Sequence, residues 1–352
     1  MIKQITSSIW IFFLLMILSG LNAQDTTGKK LEKVTKLFRD DQTLSVKMSY
    51  SIKNVKRNTN DSTFSDTKLS YLDDEGQWKE IPVAIRARGN FRRNKCFYTP
   101  IKMKIKKSDA KKTIFKGNKK LKLVLPCLKE RGKNDDVIQE YLAYKLYEII
   151  SPYHFKTKLL DLDLGEIRGI RGRKTRSHQL KAFLIEDDKR VANRNGGKVV
   201  ESFIHPLAMD PLTSVQNSFF QFMIGNTDYS VAYQHNGKLL YVNSMIIPLP
   251  YDFDMSGLVD ASYAVANEQL NISSVRQRKY RGFKRDQKIF DEVRSQFLNN
   301  KTQIINIVDG FEDNFDDRRE FLQTRNYILN FFNILENDTQ YNSYIANQAR
   351  GK

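Results

Sequence analysis

Carboxylate and amide side chains are concentrated in residues 225–257, on short loops between apolar segments. If residues 251–254 are extended, side chains two apart point the same way, so Asp252 and Asp254 face one site. Two carboxylates on one face, with an asparagine and a third aspartate nearby, provide the oxygen ligands that suit Mg²⁺ or Mn²⁺. Such an ion would hold phosphates, because Mg²⁺ completes its shell with substrate oxygens.

Each short motif in this stretch also has a simpler interpretation as a turn. An isolated Asp-x-Asp or Gly-Asn-x-Asp is common in hydrogen-bonded loops. Here both occur, and an apolar hairpin lies between Asp228 and Asp252. This layout is typical of a kinase-type catalytic loop followed by a metal-binding strand end. Asp228 would then orient the acceptor hydroxyl, while Asn236, Asp252 and Asp254 would hold the metal.

These residues also carry a resemblance to a known family. The motifs Gly225-Asn226-x-Asp228, Asn236 and Pro250-Tyr251-Asp252 resemble the catalytic segment of the spore-coat protein H (CotH) kinase-like family. The run Arg86-x-Arg88-Gly89-Asn90 resembles the arginine-glycine turn of that family, and residues 102–106 resemble its lysine-bearing strand. The likeness consists of scattered short motifs over residues 80–300. It implies an atypical protein-kinase-like fold that binds ATP with Mg²⁺ or Mn²⁺.

A kinase-type site needs a strand lysine to hold the phosphates and a helix glutamate to steady it. Lys102 and Lys104 are the strand candidates, with Lys122 behind them. Glu140 lies in a predicted helix that ends at Pro152, and it is the natural partner of the lysine. The alternative is a solvent-facing Glu140 that pairs with its neighbours along the helix.

The resemblance implies two further cofactor-binding residues. Arg88 belongs to the arginine-glycine turn. Glu186 stands where, in the family, a glutamate meets the adenine or ribose. For the adjacent Asp187 and Asp188, a charged turn is the preferred interpretation.

The first 23 residues resemble a secretory signal. Lys3 precedes an apolar stretch at residues 9–18, and Leu21-Asn22-Ala23 forms a small-residue cleavage site. The apolar stretch is shorter than the roughly 18 residues that a membrane anchor needs. We therefore expect an exported protein, periplasmic or extracellular, with no transmembrane segment after cleavage.

Export also affects how the two cysteines are interpreted. Cys96 and Cys127 are the only cysteines in the chain. An oxidising compartment favours a disulfide between them. Two cysteines alone do not make a structural zinc site, which takes four ligands.

Positive charge is concentrated in one part of the chain, whose formal net charge is +18. Residues 86–133 contain 18 lysines and arginines but only two acidic residues, Asp109 and Glu130. Such a patch attracts polyanions, including nucleotide phosphates and acidic envelope polymers. Export argues against nucleic acid as the partner. The alternative is a solvated strand face whose lysines protect the sheet edge.

Hydrophobic patterning divides the chain into two halves. Alternating apolar residues, as in 44–52, 81–87 and 101–105, predict an antiparallel, strand-rich first half. After residue 191 the pattern becomes helical, with one helix starting at Asp210-Pro211 and ending at Gly225. The fold expected is α+β and bilobal kinase-like, with the site in the cleft. A strand-rich basic N-lobe would span residues 24–185, and a mainly helical C-lobe residues 186–352.

The function expected is that of an exported CotH-like phosphotransferase, which transfers phosphate from ATP to a hydroxyl-bearing acceptor such as a protein or envelope polymer. One alternative is a catalytically silent kinase-like module that binds a polyanion or a protein through its basic lobe. The absence of a G-x-G-x-x-G loop fits that alternative. Another is a glycosyltransferase that uses Asp252-x-Asp254, which predicts a parallel sheet and conflicts with the alternating strands.

Overall fold

The computed structural model describes residues 31–89, 91–130, 133–169 and 174–351. The predicted secretory signal at residues 1–23 lies outside the described residues. So do Asn90, the last residue of the arginine-glycine run, and Arg131, one of the counted basic residues.

Within the described residues, seven strands close into a barrel in the order β1-β2-β3-β4-β5-β7-β6. The strands are β1 (Leu44–Tyr50), β2 (Ser65–Leu72), β3 (Trp78–Ala87), β4 (Ile101–Lys104), β5 (Lys120–Val124), β6 (Thr157–Arg168) and β7 (Lys174–Ile185). Neighbouring strands are antiparallel, except that β1 runs parallel to β6, with Val46 opposite Leu162. Alternate side chains point inward, so the interior is filled with apolar residues such as Ile85 and Met103.

Helices and a smaller sheet form the rest of the molecule. The helices are α1 (Ile52–Asn58), α2 (Phe91–Lys95), α3 (Lys107–Ala110), α4 (Lys133–Ile150), α5 (Asp188–Arg194), α6 (Pro211–Met223), α7 (Gln287–Asn299), α8 (Lys301–Asp309), α9 (Arg318–Glu336) and α10 (Asp338–Tyr344). The strands β8 (Lys198–Val200), β9 (Gly237–Val242) and β10 (Met245–Pro250) form an antiparallel sheet in the order β10-β9-β8. One aromatic-rich core joins them. In this core, the ring centre of Phe253 lies 4.6 Å from that of Tyr144 in α4 and 5.4 Å from that of Phe220 in α6.

The predicted bilobal kinase-like fold is wrong. The strands of the first half close into a mixed barrel, because β1 pairs in parallel with β6 more than a hundred residues later. Alternation predicted strands in this half, but it carries no information on which strands pair. In addition, α4 lies in the first half of the chain and packs in the same core as the later helices. The division after residue 185 stays a prediction.

The parallel sheet expected for a glycosyltransferase is also not observed among the described strands. The three-stranded sheet that leads into Asp252 is antiparallel throughout, and the barrel contains a single parallel pairing.

Cys96 and Cys127 lie at disulfide-bond distance, with their sulfur atoms 2.18 Å apart. This is compatible with the predicted disulfide, which links the residue after α2 to the segment after β5. No helix in the part of the chain that the structure describes is long and apolar enough to cross a bilayer.

Candidate functional site

Helix α6 delivers the loop that carries Asp228. The Asp210 carboxylate accepts a hydrogen bond from the Thr213 N–H (2.8 Å) at the start of this helix, with Pro211 in its first turn. After the helix, Gly225 adopts φ +63°, and a Cβ atom there would lie 2.0 Å from the Tyr327 hydroxyl. Glycine is therefore required at this point, both for the backbone conformation and for the close packing.

Asp228 is held in place by three neighbours in its own loop. Its backbone N–H donates to Asn226 Oδ1 (2.9 Å), and Asn236 Nδ2 donates to its Oδ2 (2.9 Å). His235 Nε2 lies 3.0 Å from Asp228 Oδ1. The Asp228 side chain is 43% exposed, so an incoming hydroxyl could reach it. The structure thus brings together Asp228 and Asn236, two of the residues that the sequence singled out.

A backbone hydrogen bond connects this loop to the segment after β10. The Tyr251 N–H donates to the Asn236 carbonyl (3.3 Å), and the Asp252 N–H donates to the Tyr144 hydroxyl of α4 (3.0 Å). Asp252 has φ +65°, so residues 251–254 are not extended and the alternation argument for Asp252 and Asp254 fails. No hydrogen bond to the Asp252 carboxylate is found within the described residues, so its oxygens are available.

Asp254 is buried and already engaged. Its Oδ2 accepts from the Tyr263 hydroxyl (3.1 Å) and lies 3.6 Å from Arg92 Nε. Burial raises the pKa of Asp254, whereas the Arg92 charge opposes that rise and the Asp252 carboxylate adds to it. Asp254 therefore lies within electrostatic reach of Asp252, although the two side chains have different partners.

Glu140 of α4 is buried, with only 1% of its surface exposed, so the solvent-facing alternative is wrong. Its partner is Arg92 of α2, whose Nη1 lies 3.3 Å from Glu140 Oε2, rather than a strand lysine. Arg92 Nη2 also donates to the Leu125 carbonyl (3.0 Å). Burial raises the pKa of Glu140, Arg92 opposes the rise and Asp254 adds to it. Arg92 thus bridges Glu140 and Asp254.

The two predicted strand lysines lie on the outer face of the barrel. Lys102 stands opposite Arg86 on one side and Lys122 on the other. Burial lowers the pKa of Lys102, and the neighbouring Arg86 lowers it further. Lys104 Nζ lies 3.8 Å from the centre of the Phe64 ring. Neither lysine forms an ion pair with Glu140.

Lys122 of β5 is a strand lysine that contacts the aspartate segment through Tyr251. Its ammonium nitrogen is 4.6 Å from the centre of the Tyr251 ring and 4.8 Å from that of Phe155. The nitrogen is shielded from solvent and has no hydrogen-bond partner among the described residues. Burial lowers the pKa of Lys122 to about 8, while the charge of Asp188 partly opposes this shift.

Arg88, which follows β3, is the last charged residue that meets the aspartate segment. Its Nη1 donates to the Tyr251 hydroxyl, while its Nε and Nη2 are buried without a partner in the described part of the chain. Arg88 acts electrostatically on Asp252, Arg92, Glu140 and Lys122. We call the residues that meet here, between the barrel and the helices, the junction cluster: Arg88, Arg92, Lys122, Glu140, Asp252 and Asp254.

Glu186 does not present free oxygens to a ligand. Both of its carboxylate oxygens accept from Arg194 Nη1 (2.7 and 2.8 Å), and Oε1 also accepts from the Lys156 N–H (2.6 Å). Burial raises its pKa, although Arg194 opposes the rise. This arrangement joins β7, α5 and the start of β6.

A divalent cation fits the junction cluster only in part. The described residues contain no group of three or more His, Cys, Asp or Glu side chains arranged to hold a metal ion. Mg²⁺, however, is often bound by one or two carboxylates together with substrate phosphates. Asp252 has free oxygens for this, whereas Asp254 would have to leave Arg92 and Tyr263.

Sequence reasoning missed Arg92, Tyr144 and Tyr263 as members of the site. Arg92 and Arg93 are adjacent and identical in type, yet Arg93 instead donates to backbone carbonyls of Lys56 and Thr59 at α1. No local pattern distinguishes the two arginines. For Tyr144, the spacing of four residues from Glu140 on one helix was the available signal.

No family model matches the chain, and no curated protein matches it. The resemblance to the CotH kinase-like family therefore stays a prediction carried by its short motifs.

Proposed function

We propose that the protein is an exported phosphotransferase, similar in chemistry to the CotH family, that transfers a phosphoryl group from ATP to a hydroxyl-bearing acceptor. The observation that carries this proposal is the Lys122 ammonium group. It is shielded from solvent, has no hydrogen-bond partner among the described residues and lies 4.6 Å from the centre of the ring of Tyr251, the residue before Asp252. A buried cation without a partner is unfavourable unless a ligand supplies the opposite charge.

The surroundings of Lys122 support a phosphate as that ligand. Arg86, Lys102 and Lys122 stand directly opposite one another on three adjacent strands. Like charges in directly opposed positions destabilise a sheet. Arg86 is paired with Asp61 (2.7 Å), but Lys102 and Lys122 have no ion-pair partner within the described residues. A polyphosphate would neutralise this row.

Each residue of the proposed site has a role that its contacts allow. Lys122 and Arg88 would bind phosphate oxygens, since their unpartnered nitrogen atoms are donors. Asp252 would hold a Mg²⁺ or Mn²⁺ ion, which when bound would neutralise the charge of the phosphates. Asp228 would accept the proton of the acceptor hydroxyl, with His235 and Asn236 fixing its orientation.

Glu140 and Arg92 would act through their neighbours. Arg92 is bound to both Glu140 and Asp254, so it fixes α4 against the segment after β10. This arrangement replaces the expected lysine–glutamate pair. The predicted roles of Lys104 and Glu186 as nucleotide ligands receive less support, because Lys104 packs on Phe64 and Glu186 is bound by Arg194.

Export is part of the proposal because of the amino-terminal sequence and the cysteine pair. Residues 1–23 resemble a secretory signal, and a disulfide persists mainly in oxidising compartments. The paired Cys96 and Cys127 are compatible with that location.

Thermal unfolding of the chain without residues 1–23 tests the proposal. ATP with Mg²⁺ or Mn²⁺ should raise the melting temperature more than either component alone, because a ligand at a hundred times its dissociation constant adds about 2.7 kcal/mol. Asp252→Asn should remove the metal-dependent part of the shift. Asp313→Asn, at an exposed carboxylate on the 3-10 helix Glu312–Asn314, is the matched control. An unchanged shift in Asp252→Asn would exclude the assigned metal ligand.

A catalytically silent polyanion-binding module is the second candidate. The observation that favours it is the engagement of Asp254 by Arg92 and Tyr263, which leaves Asp252 as the carboxylate with free oxygens. This candidate predicts that ATP alone stabilises the protein as much as ATP with metal. It also predicts no transfer of the γ-phosphate to water or to any hydroxyl.

A further inference from the structure

A cavity of about 260 Å³ lies next to the loop that carries Asp228. Its walls are formed by residues 229–233 of that loop, by α6, by residues 281–283 with Arg285, and by Arg350 near the end of the chain. It shares no residue with the junction cluster. Its volume lies just below the range of about 300 Å³ and above that is typical of drug-sized ligands, so it suits a single small unit.

Three arginines line this cavity, and none of them forms an ion pair within the described residues. Arg281 donates to the carbonyls of Thr227 and Tyr229, which flank Asp228. Arg285 donates to the carbonyls of Pro206 (2.7 Å) and Leu207 (3.0 Å). Carbonyl oxygens satisfy the donors but do not neutralise the charge, so three guanidinium charges line the cavity.

The third arginine is held differently. The Arg350 guanidinium lies 4.1 Å from the centre of the Phe283 ring. Burial lowers its pKa, and the charge of Arg281 lowers it further, while the hydroxyl of Tyr229 opposes the shift. Asp210 acts electrostatically on Arg285, but its carboxylate already accepts hydrogen bonds at the start of α6. An anion from outside the chain would neutralise these arginines.

Uncharged polar groups in the wall are also unsatisfied. Asn217 of α6 is 2% exposed and lines the cavity, yet its Oδ1 has no hydrogen-bond partner in the described part of the chain. Ser214 Oγ and Arg285 Nε are likewise buried atoms without a hydrogen-bond partner among the described residues. Buried polar atoms are nearly always paired, so these groups indicate a ligand that bears hydroxyl groups as well as a charge.

Two exposed aromatic side chains stand at the cavity. Phe203 is 57% exposed and Tyr233 is 79% exposed, and their ring centres are 5.3 Å apart. Adjacent exposed rings form a contiguous apolar surface, and apolar surfaces rimmed by polar residues mark ligand-binding grooves. The C–H face of a sugar ring packs well against such rings, whereas an inorganic anion gains nothing from them.

We propose that this cavity binds a carboxylated sugar unit. The carboxylate would lie between Arg285 and Arg350, the hydroxyl groups would bond to Asn217 and Ser214, and the ring would pack on Tyr233. Binding itself does not require the proposed phosphotransfer. The role of the sugar as the anchor of the acceptor beside Asp228 rests on the proposed function.

Isothermal titration of the chain lacking residues 1–23 with methyl β-D-glucuronide and methyl β-D-glucoside tests this proposal. Charge-assisted hydrogen bonds should make the glucuronide bind at least roughly tenfold more tightly than the glucoside. Arg350→Gln should remove that preference. Tyr233→Ala, at a largely exposed side chain, should weaken binding of both sugars. Arg319→Gln, at an exposed arginine of α9, should change neither.

Four results would overturn the proposal. Equal binding of the two sugars, or no binding of either, excludes the carboxylated sugar. Inorganic phosphate that binds as tightly as the glucuronide, with no effect of Tyr233→Ala, shows a simple anion site. Tighter binding of N-acetyl-aspartate methylamide shows a site for acidic peptides.

The sugar titration and the nucleotide melting experiment test the two proposals separately. Loss of glucuronide binding with a retained ATP–metal shift in melting temperature removes this inference alone. Retained glucuronide binding without any ATP–metal shift leaves a sugar-binding protein and removes the phosphotransferase. Arg350→Gln should keep the ATP–metal shift, because Arg350 lies outside the junction cluster.

Discussion

The barrel interior and the junction cluster are both buried, yet they consist of opposite kinds of side chain. Val46, Ile85 and Leu123 point into the barrel and are at most 1% exposed. In the junction cluster, Arg92 and Glu140 are also buried, but both are charged. Burial of apolar surface stabilises the fold by about 25 cal/mol per Å², whereas burial of charge opposes folding unless the charge is fully paired.

Pairing in the junction cluster is incomplete. Buried atoms without a hydrogen-bond partner among the described residues include Arg88 Nε and Nη2, Arg92 Nε, Lys122 Nζ and Glu140 Oε1. The barrel interior has less need of polar partners, because its side chains are mainly apolar. The comparison indicates that the barrel supplies stability, while the junction cluster keeps polar groups that a ligand would satisfy.

The largest effect is expected at Arg92. Arg92→Met leaves Glu140 and Asp254 buried without their shared cation, which should lower the free energy of unfolding by about 3–5 kcal/mol. Unfolding in urea measures this loss of free energy. Arg319→Met, at an exposed ion pair that solvent screens, should change the free energy of unfolding far less. Equal effects of the two substitutions would show that the buried pairing does not contribute.

A substitution that creates a cavity inside the barrel should change stability and leave ligand binding unchanged. Leu123→Ala removes apolar volume from β5 and should lower the free energy of unfolding by about 2–5 kcal/mol. The shift in melting temperature caused by ATP and metal should stay the same. If Leu123→Ala abolished that shift, the barrel interior and the junction cluster would not be separable in function.

Cys96 and Cys127, which lie at disulfide-bond distance, connect the segment after α2 to the segment after β5. Replacing Cys96 and Cys127 together by alanine should lower stability by about 3 kcal/mol, because the bond closes a loop whose ends are 31 residues apart. Cys96 follows α2, so its loss should also loosen the helix that carries Arg92. Unfolding of the wild type with and without a reductant gives the same comparison. No change on reduction would exclude a contribution of the bond.

The pH dependence of stability and of ATP affinity distinguishes the effect of the Lys122 charge from the effect of its packing. Burial lowers the pKa of Lys122 to about 8 from 10.5, so between these values the unfolded chain binds more protons and the contribution to stability rises with pH. Affinity for ATP should fall over the same range, because the free protein loses the cation. Lys122→Met should remove both trends. An ATP affinity that does not change from pH 7 to pH 10 would contradict a role for this charge.

Local patterns predicted the elements better than their arrangement. Alternation in residues 101–105 identified β4 and its outward lysines, and Asp210-Pro211 identified the start of α6. Closure of the barrel depends on the parallel pairing of β1 with β6, which joins Val46 to Leu162 across the sequence. Such long-range pairing leaves no local signal, and this is why a bilobal fold was expected.

The candidate site was predicted in the same uneven way. Asp228 and Asn236 lie close in sequence, and the structure places them in hydrogen-bond contact. The glutamate of α4 was singled out, but its partner was expected to be Lys102 or Lys104 instead of Arg92. Asp252 and Asp254 do not share a strand face, because the positive φ of Asp252 breaks the extended geometry.

The most direct test combines stability and binding in Lys122→Met. The substitution removes a shielded cation and leaves an unbranched apolar side chain between Tyr251 and Phe155. In the wild type, the rings of these two residues offset part of the free-energy cost of burying the Lys122 charge. We predict a melting temperature equal to or above that of the wild type, by about 2–4 °C per kcal/mol gained, with loss of the shift caused by ATP and metal. A lower melting temperature with an unchanged ATP–metal shift would show that Lys122 is a structural residue and would contradict the account of the junction cluster.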